Sequence, residues 1–77
     1  MNEPALVIDA TGRLCPLPVI ELAKALPEVE VGDVIGVLAD DPAAAADIPA
    51  WCRLRGQDYA GGSTVDGAPA FDVRRVA

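Results

Sequence analysis

Cys15 is the residue best placed to do chemistry, in the run Arg13-Leu14-Cys15-Pro16-Leu17-Pro18. Strand-like residues precede it and helical spacing follows it, so the thiol falls between a strand end and a helix start. Unpartnered backbone N–H groups and the positive end of a helix dipole converge at such a point. They stabilise an anion, and a thiol ionising below the free value of ~8.5 is expected. Arg13 adds a cation close in sequence. Pro16 and Pro18 fix the backbone that presents the sulfur, and remove two N–H donors. Gly12 permits the turn before it. These residues alone leave two readings open, a reactive thiol or a structural cysteine at a helix start.

The second thiol, Cys52, lies beside Trp51 on a helical face and reads as a small apolar core residue rather than a resolving sulfur site. Asp40 and Asp41 could form a carboxylate pair, but with Pro42 behind them they read better as the acidic cap of a second helix. Arg53 and Arg55 fall near that helix's end, where a cation meets the dipole favourably or docks a partner. Arg74 and Arg75 are open to either reading. Trp51 is expected in the core; a partly exposed indole would mark an interface.

Composition removes whole classes of function. No histidine is present, which excludes Cys-His and Ser-His catalysis and His-containing zinc sites. Two cysteines make neither a Cys₄ zinc site nor a disulfide framework. Twelve acids against six bases leave a net charge of −6, which disfavours direct nucleic-acid binding and suits docking on basic proteins. Uncharged stretches such as Leu14 to Ile20 are far too short to span a membrane. Met1 to Pro4 holds an acid and no basic cluster, so no signal peptide is expected. The expected location is the cytoplasm, with both thiols reduced.

The elements that must position Cys15 follow from periodicity. Ala5 to Asp9 reads as a strand, broken by Asp9 to Gly12. Val19, Leu22, Ala23 and Leu26 share one helical face, so a helix starts at or just after Cys15 and stops near Pro27. Val34 to Ala39 is a second strand. A second helix runs from the Asp40-Asp41-Pro42 signal to about Arg55, with Ile48, Trp51, Cys52 and Arg55 on one face. Pro49 either kinks it or follows a short turn, with Asp47 capping a second start. Gln57 to Tyr59 opens a third strand, bent or bulged at Gly61-Gly62. Asp66-Gly67 signals a hairpin that Pro69 is expected to lengthen, and Ala70 to Val76 closes as a fourth strand.

With 77 residues, the chain is read as a single domain over 1–77, its function at the surface and at the end of an element. The order β-α-β-α-β-β predicts an α+β fold. It is a two-layer sandwich with a mixed four-stranded sheet and both helices on one face, and the open face is expected to show valines.

Asp9-Ala10-Thr11-Gly12-Arg13-Leu14-Cys15-Pro16-Leu17-Pro18-Val19 resembles the Cys-Pro-x-Pro signature of the TusA/SirA-like sulfur-carrier family. Ala39-Asp40-Asp41-Pro42, with Asp47-Ile48-Pro49 and Trp51-Cys52, is similar to that family's second block. The resemblance covers nearly the whole chain. It implies a carrier holding sulfur as a persulfide on Cys15, with Gly12, Arg13, Leu14, Pro16, Leu17 and Pro18 as the supporting loop. It implies a cysteine desulfurase or rhodanese-type sulfur donor and a downstream sulfur-acceptor protein. The routes it implies are tRNA 2-thiouridine synthesis, sulfur oxidation or cofactor sulfuration. Such exchange is sulfurtransferase-like, with no turnover of its own expected and no cofactor or metal required. A regulatory protein-interaction module is the reading from another class. The tRNA-thiolation branch of the family carries arginine before the cysteine and glutamate between the prolines. Leu14 and Leu17 stand there instead, and would form an apolar collar around the thiol.

Overall fold

A computed structural model describes residues 4–77; the signal-peptide expectation concerns Met1 to Pro4, of which only Pro4 lies within them. Strand β1 (Leu6–Asp9) leads through the Cys15 loop to helix α1 (Leu17–Ala25), which tightens into a 3₁₀ turn at Leu26–Glu28. Strand β2 (Val34–Leu38), helix α2 (Ala44–Arg55) and strands β3 (Asp58–Val65) and β4 (Ala68–Arg74) follow. The sheet order is β1-β2-β4-β3, with β1 parallel to β2 and both other pairings antiparallel. The α+β architecture expected from the pattern of elements is the one observed.

Alternation decides which side of the sheet is covered. Leu6 and Ile8, Ile35 and Val37, Tyr59, and Phe71 and Val73 face the helices. From α1 come Leu22 and Ala25, and from α2 come Ala44, Ile48, Trp51 and Cys52. Period-2 and period-3.6 apolar faces thus meet in one core. The opposite face stays open and carries a shallow groove of about 320 Å³ past Val7, Leu38, Ser63 and Val65.

Several local expectations change. Pro69 does not lengthen the hairpin: Val65 pairs with Ala68, and Asp66 and Gly67 form a two-residue turn at φ 51° and 82°. Both turn residues take positive φ, as in a type I′ turn whose twist matches the flanking strands. Pro69 sits inside β4 near its start, beyond the β2 ladder, where a missing N–H is tolerated. A bulge between Tyr59 and Gly61 bends β3, where Gly61-Gly62 suggested one. Pro49 lies within a single helix, so Asp47 caps no second start. The carbonyl that Pro49 leaves free belongs to Ala45, an exposed residue open to solvent.

Arg75, left open by the sequence, ties the chain's end to α1. Its Nη1 donates to Val29 O at 2.6 Å and to Leu26 O at 3.4 Å, carbonyls just past the helix end. Arg74 lies 3.9 Å from Asp58 across the β3–β4 pair.

Leu22 is fully buried and Leu54 is 82% exposed, so the two leucines separate packing from surface. Leu22→Ala should cost roughly 2–5 kcal/mol, whereas Leu54→Ala should stay within about 0.5 kcal/mol. Urea denaturation curves measure both, and equal losses would contradict this core.

Candidate functional site

Parallel pairing of β1 and β2 brings the loops that follow them side by side. Brief polar ties between those loops build the site. Gly12 N donates to Asp40 Oδ1 at 2.9 Å, and Cys15 N donates to Asp41 Oδ2 at 2.8 Å. Gly12 adopts φ 78°, a left-handed conformation that costs a side-chain-bearing residue more. Asp9 Oδ1 steadies the start of the loop by accepting from Thr11 Oγ1 at 2.6 Å and Thr11 N at 3.1 Å. Leu17 N then donates to Leu14 O at 2.9 Å, closing a turn in which the Cys15–Pro16 bond is cis.

The Cys15 side chain is exposed and donates from Sγ to Asp47 Oδ2 on α2, at 2.7 Å. Beside it lies a depression of about 300 Å³ walled by Pro16, Val19, Ala50, Trp51 and Leu54. Its lining is almost wholly apolar apart from Cys15 and Asp47. Trp51 serves two purposes, since its ring packs in the core and also walls this depression.

The thiol's electrostatics reverse the sequence expectation. Its ionisation is pushed up from the ordinary cysteine range. The hydrogen bond to Asp47 is the chief cause, followed by partial desolvation and the charges of Asp47 and Asp41. Helix α1 starts two residues beyond the cysteine, and Pro16 and Pro18 withhold donors there. Arg13 does not offset the carboxylates, because its guanidinium pairs with Glu21 at 3.6 Å. Cys52 is also pushed up, by burial first, as suits a core thiol.

Asp40 and Asp41 are not the side-chain cap of α2. That helix has Ala43 at its N-cap with no side-chain bond. Asp40 instead holds Gly12. Asp41 divides its two oxygens, Oδ2 on Cys15 N and Oδ1 on Ala43 N at 3.0 Å, in the turn that leads into α2. These N–H donors, Ala43's first and Cys15's second, hold the Asp41 carboxyl below its ordinary range.

The supporting loop divides. Pro16 lines the depression, while Leu14 and Leu17 are exposed and outside its wall. Pro18 is among the most deeply buried side chains, packed in the core rather than set around the thiol. The apolar surround of Cys15 therefore comes mainly from α2. Asp47, Trp51 and Leu54, with Ala50, follow i, i+4, i+7 and i+3 spacing, a helical stripe that the sequence carries and that was open to recognition. Among the described residues no cluster of three metal-ligating side chains occurs, and no helix is long and apolar enough to cross a membrane.

Residues 6–69 match the family described as sulfurtransferase TusA. The sulfur carrier protein TusA of Pseudomonas entomophila is 37% identical over 70 residues, covering 91% of this chain and 88% of its own. A relative from Archaeoglobus fulgidus is 45% identical over 53 residues, 69% of this chain and 73% of its own. The crystal structure of a SirA-like protein from Desulfitobacterium hafniense superposes with a TM-score of 0.78 at 28% identity, covering 94% of this chain and 99% of that one.

The depressed Asp41 carboxyl generates a pH dependence with a defined sign. Its contribution is complete above about pH 4, the unfolded value, and is lost as pH falls through the lower folded value. Asp41→Asn should destabilise the protein at pH 7 and flatten the acid side of its stability profile. Urea curves at pH 7 and pH 3 measure this, and parallel profiles for the two proteins would contradict the role of Asp41.

Proposed function

The chain belongs to the sulfurtransferase TusA family, and on that premise we propose that it is a sulfur carrier that holds a persulfide on Cys15 and relays the outer sulfur to an acceptor protein. The observation that carries this reading is the placement of the two thiols. Cys52 is buried, whereas Cys15 is exposed at an apolar depression open to a second protein. The donor is a cysteine desulfurase or a rhodanese-type protein, and the setting is the cytoplasm, where the thiol stays reduced.

The chemistry is thiol–persulfide exchange. The Cys15 thiolate bonds to the outer sulfur of the donor persulfide. The donor's S–S bond breaks, and its electron pair leaves on the donor's own sulfur, which takes up a proton. Delivery repeats the step with an acceptor thiolate attacking the outer sulfur on Cys15. Rates then follow thiolate fraction and leaving-group acidity, and the net reaction consumes no oxidant or reductant.

The acceptor pathway is tRNA 2-thiouridine synthesis or, on the same chemistry, sulfur oxidation or cofactor sulfuration. The exposed Leu14 and Leu17 favour the latter pair, because apolar side chains replace the arginine and glutamate of the tRNA-thiolation branch at a surface an acceptor would touch.

Incubation with a cysteine desulfurase and cysteine should add one sulfur atom to the intact protein by mass. Cys15→Ser should abolish the gain and Cys52→Ala should keep it. Loading of Cys15→Ser would move the site to Cys52, and no loading of any form by desulfurase or rhodanese would favour the interaction-module reading.

A further inference from the structure

The groups around Cys15 are of one sign. Asp47 on α2 takes the thiol proton's hydrogen bond at 2.7 Å. Asp41, in the loop after β2, sits on the cysteine's own N–H at 2.8 Å, and Asp40 beside it holds Gly12. From the cysteine's own loop and α1 come Arg13 and Glu21, which are paired with each other. A thiolate formed here would face two carboxylates with no free cation among the described residues around it. Such a thiol stays protonated and is a slow nucleophile toward small reagents.

Resting on the persulfide reading of Cys15, we propose that Asp47 is a specificity-determining lock, opened by a lysine or arginine side chain of the partner protein that pairs with Asp47 and Asp41. Pairing removes the acceptor from the S–H group and supplies the missing positive charge. The thiol proton is then released, the thiolate attacks the outer sulfur of the partner's persulfide, and the departing partner sulfur takes a proton. The partner is thereby specified by chemistry, a cationic rim around an apolar contact that fits the depression walled by Val19, Trp51 and Leu54. Between encounters the same contact guards Cys15 against exchange with small thiols and disulfides.

The test uses the full chain carrying Cys52→Ala, so that Cys15 alone reports. Alkylation by neutral iodoacetamide is followed against pH for that protein and for added Asp47→Asn, Asp47→Glu and the remote charge control Glu28→Gln. Asp47→Asn should shift the profile to lower pH and raise the rate near neutrality about tenfold, the change one pKa unit gives. Asp47→Glu should hold close to the parent, and Glu28→Gln should not move it. A cationic methanethiosulfonate should react faster than an anionic one with the parent. That ratio should fall with added salt and in Asp47→Asn. An unmoved pH profile in folded Asp47→Asn, or a parent protein indifferent to reagent charge, would overturn the lock. The charge ratio of the parent decides the matter even if the variant fails to fold. Neither readout involves sulfur loading, so a chain that loads sulfur without these responses refutes the lock alone, and one that shows them without loading refutes the carrier reading alone.

Discussion

The Asp41 carboxylate is the tie on which the site depends. One of its oxygens holds the Cys15 N–H and the other the Ala43 N–H, so a single side chain fixes the Cys15 backbone and the approach to α2. Charge-assisted bonds of this kind are stronger than neutral ones and sit on donors that the loops would otherwise leave to water. The tie is possible because β1 and β2 run parallel and adjacent, Asp9 opposite Leu38, which delivers both following loops to one edge of the sheet. Asp40 on Gly12 repeats the arrangement a few residues upstream.

From that tie follows the relation between thiol and helix. Fixing the start of α2 beside the Cys15 loop puts Asp47, in the first turn of α2, within reach of the sulfur. Three residues on, Ala50 begins the apolar wall, and Trp51 continues inward to the core. Wall and core are therefore joined through Trp51, on the same helix that buries Ile48 and Cys52. A helix dipole near the cysteine is weaker than carboxylates in contact with it, because the dipole's partial charge acts from residues beyond Pro16 while Asp47 touches the sulfur.

The small size of the chain gives this economy a physical reason. Over half of the positions are apolar, 52%, but fourteen of them are alanine, so few large side chains are left to make both a core and a contact surface. Trp51 serves in both. Leu14, Leu17, Ile20 and Leu54 remain exposed on or near the Cys15 edge, while the largest buried side chains, Leu22, Ile35 and Ile48, fill the layer between helices and sheet.

The sequence by itself determined the elements, their order and the place of Cys15 between a strand and a helix. Val19, Leu22, Ala23 and Leu26 share a face only as a helix, and Asp66-Gly67 marks a hairpin whose two-residue length was settled by strand pairing against the expectation from Pro69. Those are local properties, set by periodicity and backbone preference within a few residues. Tertiary structure alone decided the distant partners of the carboxylates. Asp40, Asp41 and Asp47 are 28, 26 and 32 residues from the groups they bind, and a capping preference read locally assigned the first two to α2. It likewise decided that Pro18 belongs to the core and that Arg13 spends its charge on Glu21. The sign of the shift at Cys15 was beyond local reading for the same reason: a thiol's ionisation answers to whichever charges packing brings within a few ångströms, and those came from the other βα unit.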